Sequence, residues 1–208
     1  MKLYTYIITR DYGFAPNPFG GYCTLATCKP SIRKIIEVGD WVIATGPKSG
    51  YGLSGYLFYA MKVEEKLTYN QYWNDQRFQY KKPVLNGSLK QCYGDNIYFI
   101  DESTHLWHQE DSHHSLPDGE INNRNLKNDT KAPFVLISTH FYYFGSKTEK
   151  IPKEFREDVC CKKRFPVHKI VRPKVAEEFI NWLENNHEVG VFDEPIEFAK
   201  GFKRYDGF

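Results

Sequence analysis

The chain has no apolar run approaching the roughly 20 residues that a membrane helix needs. It also has no basic segment leading into an apolar core, the mark of a secretory leader, because the residues after Met1 alternate as a strand does. The expectation is a soluble, cytoplasmic protein with no membrane partner. Net charge is scarce as well. Lys and Arg total 28 against 26 Asp and Glu, a formal charge of +2, which excludes a polybasic protein that coats nucleic acid electrostatically. Any nucleic-acid affinity must come from a local patch or a specific pocket. Cysteines are few and odd in number: Cys23, Cys28, Cys92, Cys160 and Cys161. Only Cys23 and Cys28 have metal-like spacing, no second pair completes four ligands, and adjacent Cys160 and Cys161 serve poorly as two. Reduced thiols, no metal and no cofactor are expected. There is no internal repeat, no low-complexity tract and no convincing linker. One domain over 1–208 follows, with a C-terminal helical extension from about 172.

What is abundant is aromatic. Phe, Trp and Tyr make up 16% of the chain, with 15 Tyr and 15 Phe, residues that suit strands and pocket walls. Strands are expected at 3–9, 41–45, 53–63 and 96–100, and one apolar β run at 134–138 and 140–144, broken by a bulge. Residues 30–36 read as a short helix. Residues 68–81 read as another, opened by a capping box of Thr68 and Gln71 and stopped by Pro83. Residues 172–186 are the clearest helix, with Pro173 in the first turn and Val175, Phe179, Trp182 and Leu183 on one face. Residues 102–131 are polar and loop-like, and 146–165 are charged and irregular.

The loop at 11–33 is rich in Gly, Pro, aromatics and small polar residues, and such loops carry binding sites held by a rigid scaffold. A flipped base is read by stacking and by hydrogen bonds to its edge. Phe14 and Phe19 can stack, Asn17, Thr24 and Thr27 can read an edge, and Lys29 and Arg33 can meet phosphate. The competing reading has Phe14 and Phe19 plugging the end of the sheet. Trp41 reads either as core or as one wall of an aromatic clamp. Cys23 and Cys28 read ordinarily as small buried thiols; the other reading is a thiol nucleophile with a histidine partner. The run 105–114 holds His105, His108, His113 and His114 among carboxylates but has no HExxH pattern, so it reads as a solvated loop. From it Asp111, Ser112 and His114 can reach the pocket, as base contacts or as a proton-transfer pair. Lys162, Lys163, Arg164, Lys169, Arg172 and Lys174 form a positive stretch that fits a phosphate backbone or a solvated face.

Several motifs together resemble the nucleotide modification associated domain two family. They are Gly13-Phe14-Ala15-Pro16-Asn17-Pro18-Phe19, Cys23-Thr24-Leu25-Ala26-Thr27-Cys28-Lys29-Pro30, Ile32-Arg33 and Val38-Gly39-Asp40-Trp41, then Gly94-Asp95-Asn96-Ile97-Tyr98, Gln109-Glu110-Asp111-Ser112, His114-Ser115 and Asp129-Thr130, and later Val135-Leu136-Ile137-Ser138, Phe141-Tyr142-Tyr143-Phe144-Gly145 and Ile151-Pro152. They reach to about residue 170. The resemblance implies a role near modified bases in bacterial or phage DNA-modification or defence systems, with nucleic acid or nucleotide and partner proteins of such systems as partners. It brings no assigned catalytic residue. The order of strands and the Gly-Asp turn also look similar to PUA-like domains such as EVE and ASCH, whose members bind RNA or flipped modified bases. The fold expected is therefore α+β, a bent barrel-like mixed sheet (PUA-like) with flanking helices. The function expected is recognition of a modified base or nucleotide. The alternatives are an enzyme that alters or removes a base, through Asp111, His114 or Cys28, and an interaction subunit of a defence complex.

Overall fold

The computed structural model describes residues 1–161 and 168–205. The strands among the described residues are β1 (Leu3–Ile7), β2 (Cys23–Leu25), β3 (Trp41–Thr45), β4 (Tyr56–Lys62), β5 (Glu65–Thr68), β6 (Tyr98–Ile100), β7 (Trp107–Gln109), β8 (Phe134–Ser138), β9 (Phe141–Tyr143), β10 (Glu149–Lys150), β11 (Lys169–Ile170) and β12 (Gly190–Val191). The α-helices among them are α1 (Pro30–Ile35), α2 (Tyr69–Asn74), α3 (Leu89–Cys92), α4 (Asn123–Asp129), α5 (Lys153–Val159) and α6 (Pro173–Asn186).

The large sheet runs β11-β1-β3-β4-β9-β12, with β10 also on β4. It is mixed: β1 and β3 pair in parallel, as do β9 and β12, whereas β3–β4 and β4–β9 are antiparallel. Along β1 and β3 the side chains alternate, as the period of two requires. Tyr4, Tyr6, Val42 and Ala44 face one core with Cys23 and Leu136, and Leu3, Trp41 and Ile43 face another with Phe179 and Leu183 of α6. The expected α+β class with a mixed sheet and flanking helices is observed. The expected barrel closure is not, because β11 and β12 end the sheet on opposite sides and do not pair with each other. Each edge strand has two residues, too short a ladder to carry the strong stagger a closed barrel requires.

The apolar run 134–144 does not form one bulged strand. β8 joins β2 and β5 in a second sheet, and β9 joins the large one. The corner between them is held by Glu64, whose Oε2 accepts from Thr139 Oγ1 at 2.8 Å and from the His140 N–H at 3.2 Å. The helix expected over 68–81 breaks at Asp75. Thr68 and Gln71 do form the capping box, but Asp75 is extended and its side chain accepts from the Arg77 N–H, starting a separate 3₁₀ turn. The segment 102–131 is not one loop: it contains β7 and α4, the latter capped by Asn122. The irregular region 146–165 holds β10 and α5. Of the positive stretch, Lys162, Lys163 and Arg164 lie outside the described residues.

Candidate active site

Between β2 and α1 the chain turns sharply. Cys28 and Lys29 both adopt the left-handed conformation, with φ of 57° and 42°, and Pro30 then opens the helix. Such a conformation costs a non-glycine residue on the order of 1 kcal/mol and persists only where the surroundings hold it. Here the brace is Arg33, fully buried. Its Nε donates to the Cys28 carbonyl at 2.8 Å, Nη1 donates to Phe134 O at 2.7 Å and to the Tyr69 hydroxyl at 2.9 Å, and Nη2 donates to Asp129 O at 2.5 Å. One guanidinium thus ties the turn to the end of α4 and the start of β8.

Three side chains meet at this turn. Cys28 is partly exposed, and its Sγ lies 4.0 Å from His114 Nε2. His114 Nδ1 lies 2.9 Å from Asp129 Oδ2. The other oxygen of Asp129 accepts the Cys28 backbone N–H at 2.8 Å, and the Tyr98 hydroxyl donates to Oδ2 at 3.0 Å. His114 is placed by a tight turn. Its carbonyl accepts from Asn125 Nδ2 of α4 at 2.9 Å, and its N–H faces Ser112 Oγ at 3.3 Å. Phe14 packs on the imidazole at 4.7 Å between ring centroids.

Burial disfavours charge on both His114 and Asp129, yet each stabilises charge on the other. Burial pulls the His114 pKa down, but the Asp129 carboxylate and Cys28 outweigh it and raise it to about 10. Burial pushes Asp129 up, and His114, Arg33 and the Cys28 N–H overcome that and hold it below the usual carboxylate range. Sulfur, imidazole and carboxylate in line are the arrangement of nucleophile, acid–base group and orienting group found on many unrelated folds.

Most of the residues expected to line a base cage are closed off inside the fold, Phe14 and Arg33 beside the triad. Phe14, Asn17, Thr24, Thr27, Arg33, Trp41 and Ser112 are buried. Asn17 Oδ1 accepts from Lys81 Nζ at 2.7 Å, and Thr24 Oγ1 donates to Asp95 at 2.7 Å; both belong to an internal polar cluster. Trp41 packs beside His140 and Tyr142. Arg33 braces the turn and is not directed at a phosphate. Lys29 Nζ sits 4.4 Å over the Tyr6 ring. Only Phe19 and Lys29 of that set keep partial exposure. Asp111 pairs with Arg204. His105 and His108 are exposed, and among the described residues no group of three His, Cys, Asp or Glu could hold a metal ion. Cys23 is the buried thiol that one reading expected. Thr27, next to Cys28, has a buried hydroxyl with no hydrogen-bond partner among the described residues. Sequence reasoning gave no role to Asp129 or Tyr98, although both stand in motifs quoted above. Nothing local marks them, since Asp129 is 101 residues from Cys28.

A family model described as nucleotide modification associated domain 2 matches residues 1–202. No curated protein and no solved structure matches the chain.

Proposed function

The chain belongs to the nucleotide modification associated domain 2 family, and from that premise we propose that it is a thiol-dependent acyl-transfer enzyme of a nucleotide-modification system. The observation that carries this reading is the alignment of Cys28, His114 and Asp129. The thiolate form of a cysteine is the nucleophile. It adds to the carbonyl carbon of an acyl group borne by a base or nucleotide. The C–N or C–O bond to the leaving group then breaks, and protonated His114 gives its proton to the departing nitrogen or oxygen. The acyl group remains as a thioester on Cys28. Water or an acceptor amine attacks it, its proton passes to His114, and the sulfur is released. An imidazole that keeps its proton up to about pH 10 suits the donor role in the first half.

The test uses iodoacetamide with peptide mass spectrometry, then a panel of N-acylated nucleosides. Cys28 should alkylate faster than the other four cysteines, and His114→Ala should lower turnover by about 10²–10⁴-fold. Cys28 reacting no faster than Cys160 or Cys161, with no acyl nucleoside consumed, overturns the reading.

Recognition of a modified base without turnover is the second reading. It is supported by a cavity of about 370 Å³ lined in part by Phe19, Lys90 and Phe141, with the Lys90 ammonium 5.4 Å from the Phe19 ring. There an aromatic face and a cation are presented together. Under this reading a modified nucleoside binds equally well to wild type, Cys28→Ala and His114→Ala. A PUA-like origin of the scaffold belongs with this second reading.

A further inference from the structure

The last described stretch of the chain runs back over the triad. Tyr93 OH accepts from the Lys203 N–H at 2.9 Å, His113 Nδ1 donates to Lys203 O at 2.5 Å, and the Tyr205 N–H donates to His113 O at 2.6 Å. Arg204 adds an ion pair with Asp111 and a bond to Ser112 O at 2.8 Å. Upstream, Glu197 is buried, bonded to the Tyr51 hydroxyl, and its N–H donates to Asp11 O at 3.0 Å. Residues 197–205 are therefore fastened at one end to Asp11 and Tyr51 and at the other to the segment that carries His113 and His114. The fastening brings the Tyr205 ring to 5.4 Å from the His114 imidazole, tilted by 38°. Tyr205 is half-buried whereas His114 is buried. The ring thus rests beside the acid–base group in a residue that is only partly buried.

We infer that Tyr205 is the substrate-positioning residue of the site, an aromatic platform on which the planar base of an acylated nucleotide stacks while its acyl carbon meets Cys28. This rests on the acyl-transfer reading above. Three features point to the role. Tyr205 contacts the one ring of the triad that must stay fixed, it retains exposed surface, and its backbone is bonded rather than left to sway. Every base has a π-face, so stacking holds the heterocycle without demanding one sequence or one edge. The tyrosine ring supplies that face at little entropic cost, having only two side-chain torsions.

The experiment compares alkylation of Cys28 by two haloacetamides, followed by peptide mass spectrometry. One is 2-chloroacetamide. The other carries the same group on a base, as 5-(chloroacetamidomethyl)uridine. In both, the sulfur–carbon bond forms as the carbon–chlorine bond breaks and chloride leaves with the electron pair. Wild type should prefer the base-bearing reagent by about tenfold, the size expected for one stacked base. Tyr205→Ala should reduce that preference to near one, with 2-chloroacetamide reacting as before, and Tyr205→Trp should restore it. Equal rates with both reagents in wild type, or a preference unchanged in Tyr205→Ala, overturns the inference and leaves the triad standing. So does a Tyr205→Ala protein in which both reagents accelerate equally, since the ring would then only shield the sulfur. Slow, His114-independent reaction with 2-chloroacetamide instead overturns the acyl-transfer reading itself.

Discussion

Asp129 accepts the backbone N–H of Cys28 at 2.8 Å through the oxygen that does not face His114. The same carboxylate therefore fixes the backbone of the nucleophile and orients the acid–base group, so geometry and protonation at the site are coupled through one side chain.

Asp129→Asn should uncouple them. The amide can keep a carbonyl oxygen for one donor but supplies no negative charge. The His114 pKa should fall from about 10, since burial lowers it and the Asp129 carboxylate is the main influence raising it. NMR titration of the imidazole reads this directly. Stability should drop by about 3–5 kcal/mol, the usual cost of removing one partner from a buried charged pair.

Arg33→Lys should not be conservative. An ammonium cannot reproduce a planar fork that reaches Cys28 O, Tyr69, Phe134 O and Asp129 O together. A loss of about 2–4 kcal/mol is expected from the bonds left unmade. Denaturant unfolding measures it, and a variant as stable as wild type would refute the bracing role.

The pH profile of stability should show two separate losses as pH rises, one from Asp11 and one from His114. His114 is raised in the fold, so its contribution is whole below pH 6.5 and is lost as pH rises through about 10. Asp11 is also raised, to about 6, by burial that outweighs its bonds to Tyr143 and the Gly13 N–H. For this carboxyl the neutral form is favoured by folding. Its contribution is present below pH 3.8 and lost as pH rises through 6. Comparing wild type with Asp11→Asn should show the difference growing between pH 4 and 7, with the variant gaining relative stability at the upper end.

Thr27→Val tests whether a buried orphan hydroxyl has a purpose. Its Oγ1 has no partner among the described residues, so replacing it with a methyl should raise stability by about 1 kcal/mol. If the hydroxyl serves the oxygen of a reacting acyl group, turnover should fall as the melting temperature rises. Unchanged turnover would assign the residue to packing alone.

Much of the secondary structure was legible because it is locally encoded. β3 spans the 41–45 expected from its apolar run, and α6 begins at Pro173 as expected. The family resemblance stopped near residue 170, whereas the matched family extends to 202. The segment beyond 170 carries β12, which pairs with β9, and residues fastened over the triad. β2 was hidden because its three residues sit inside a stretch that reads as loop. The corner at residues 139 and 140 was hidden because an unbroken apolar run gives no sign that its halves enter different sheets.

The sequence by itself determined most of β1, β3 and β4, the helix α6, the Thr68–Gln71 capping box and the choice of Cys28 and His114 as candidates, since periodicity and capping act over a few residues. Only the tertiary structure decided that Cys28, not Cys23, meets a histidine, that Arg33 is a brace and that Asp129 completes the line. Those outcomes depend on partners 86 and 101 residues away in the chain. The charge on His114 likewise depends on a carboxylate, itself buried, that packing brings within 2.9 Å of the buried imidazole, and separation along a sequence carries no information about such distances.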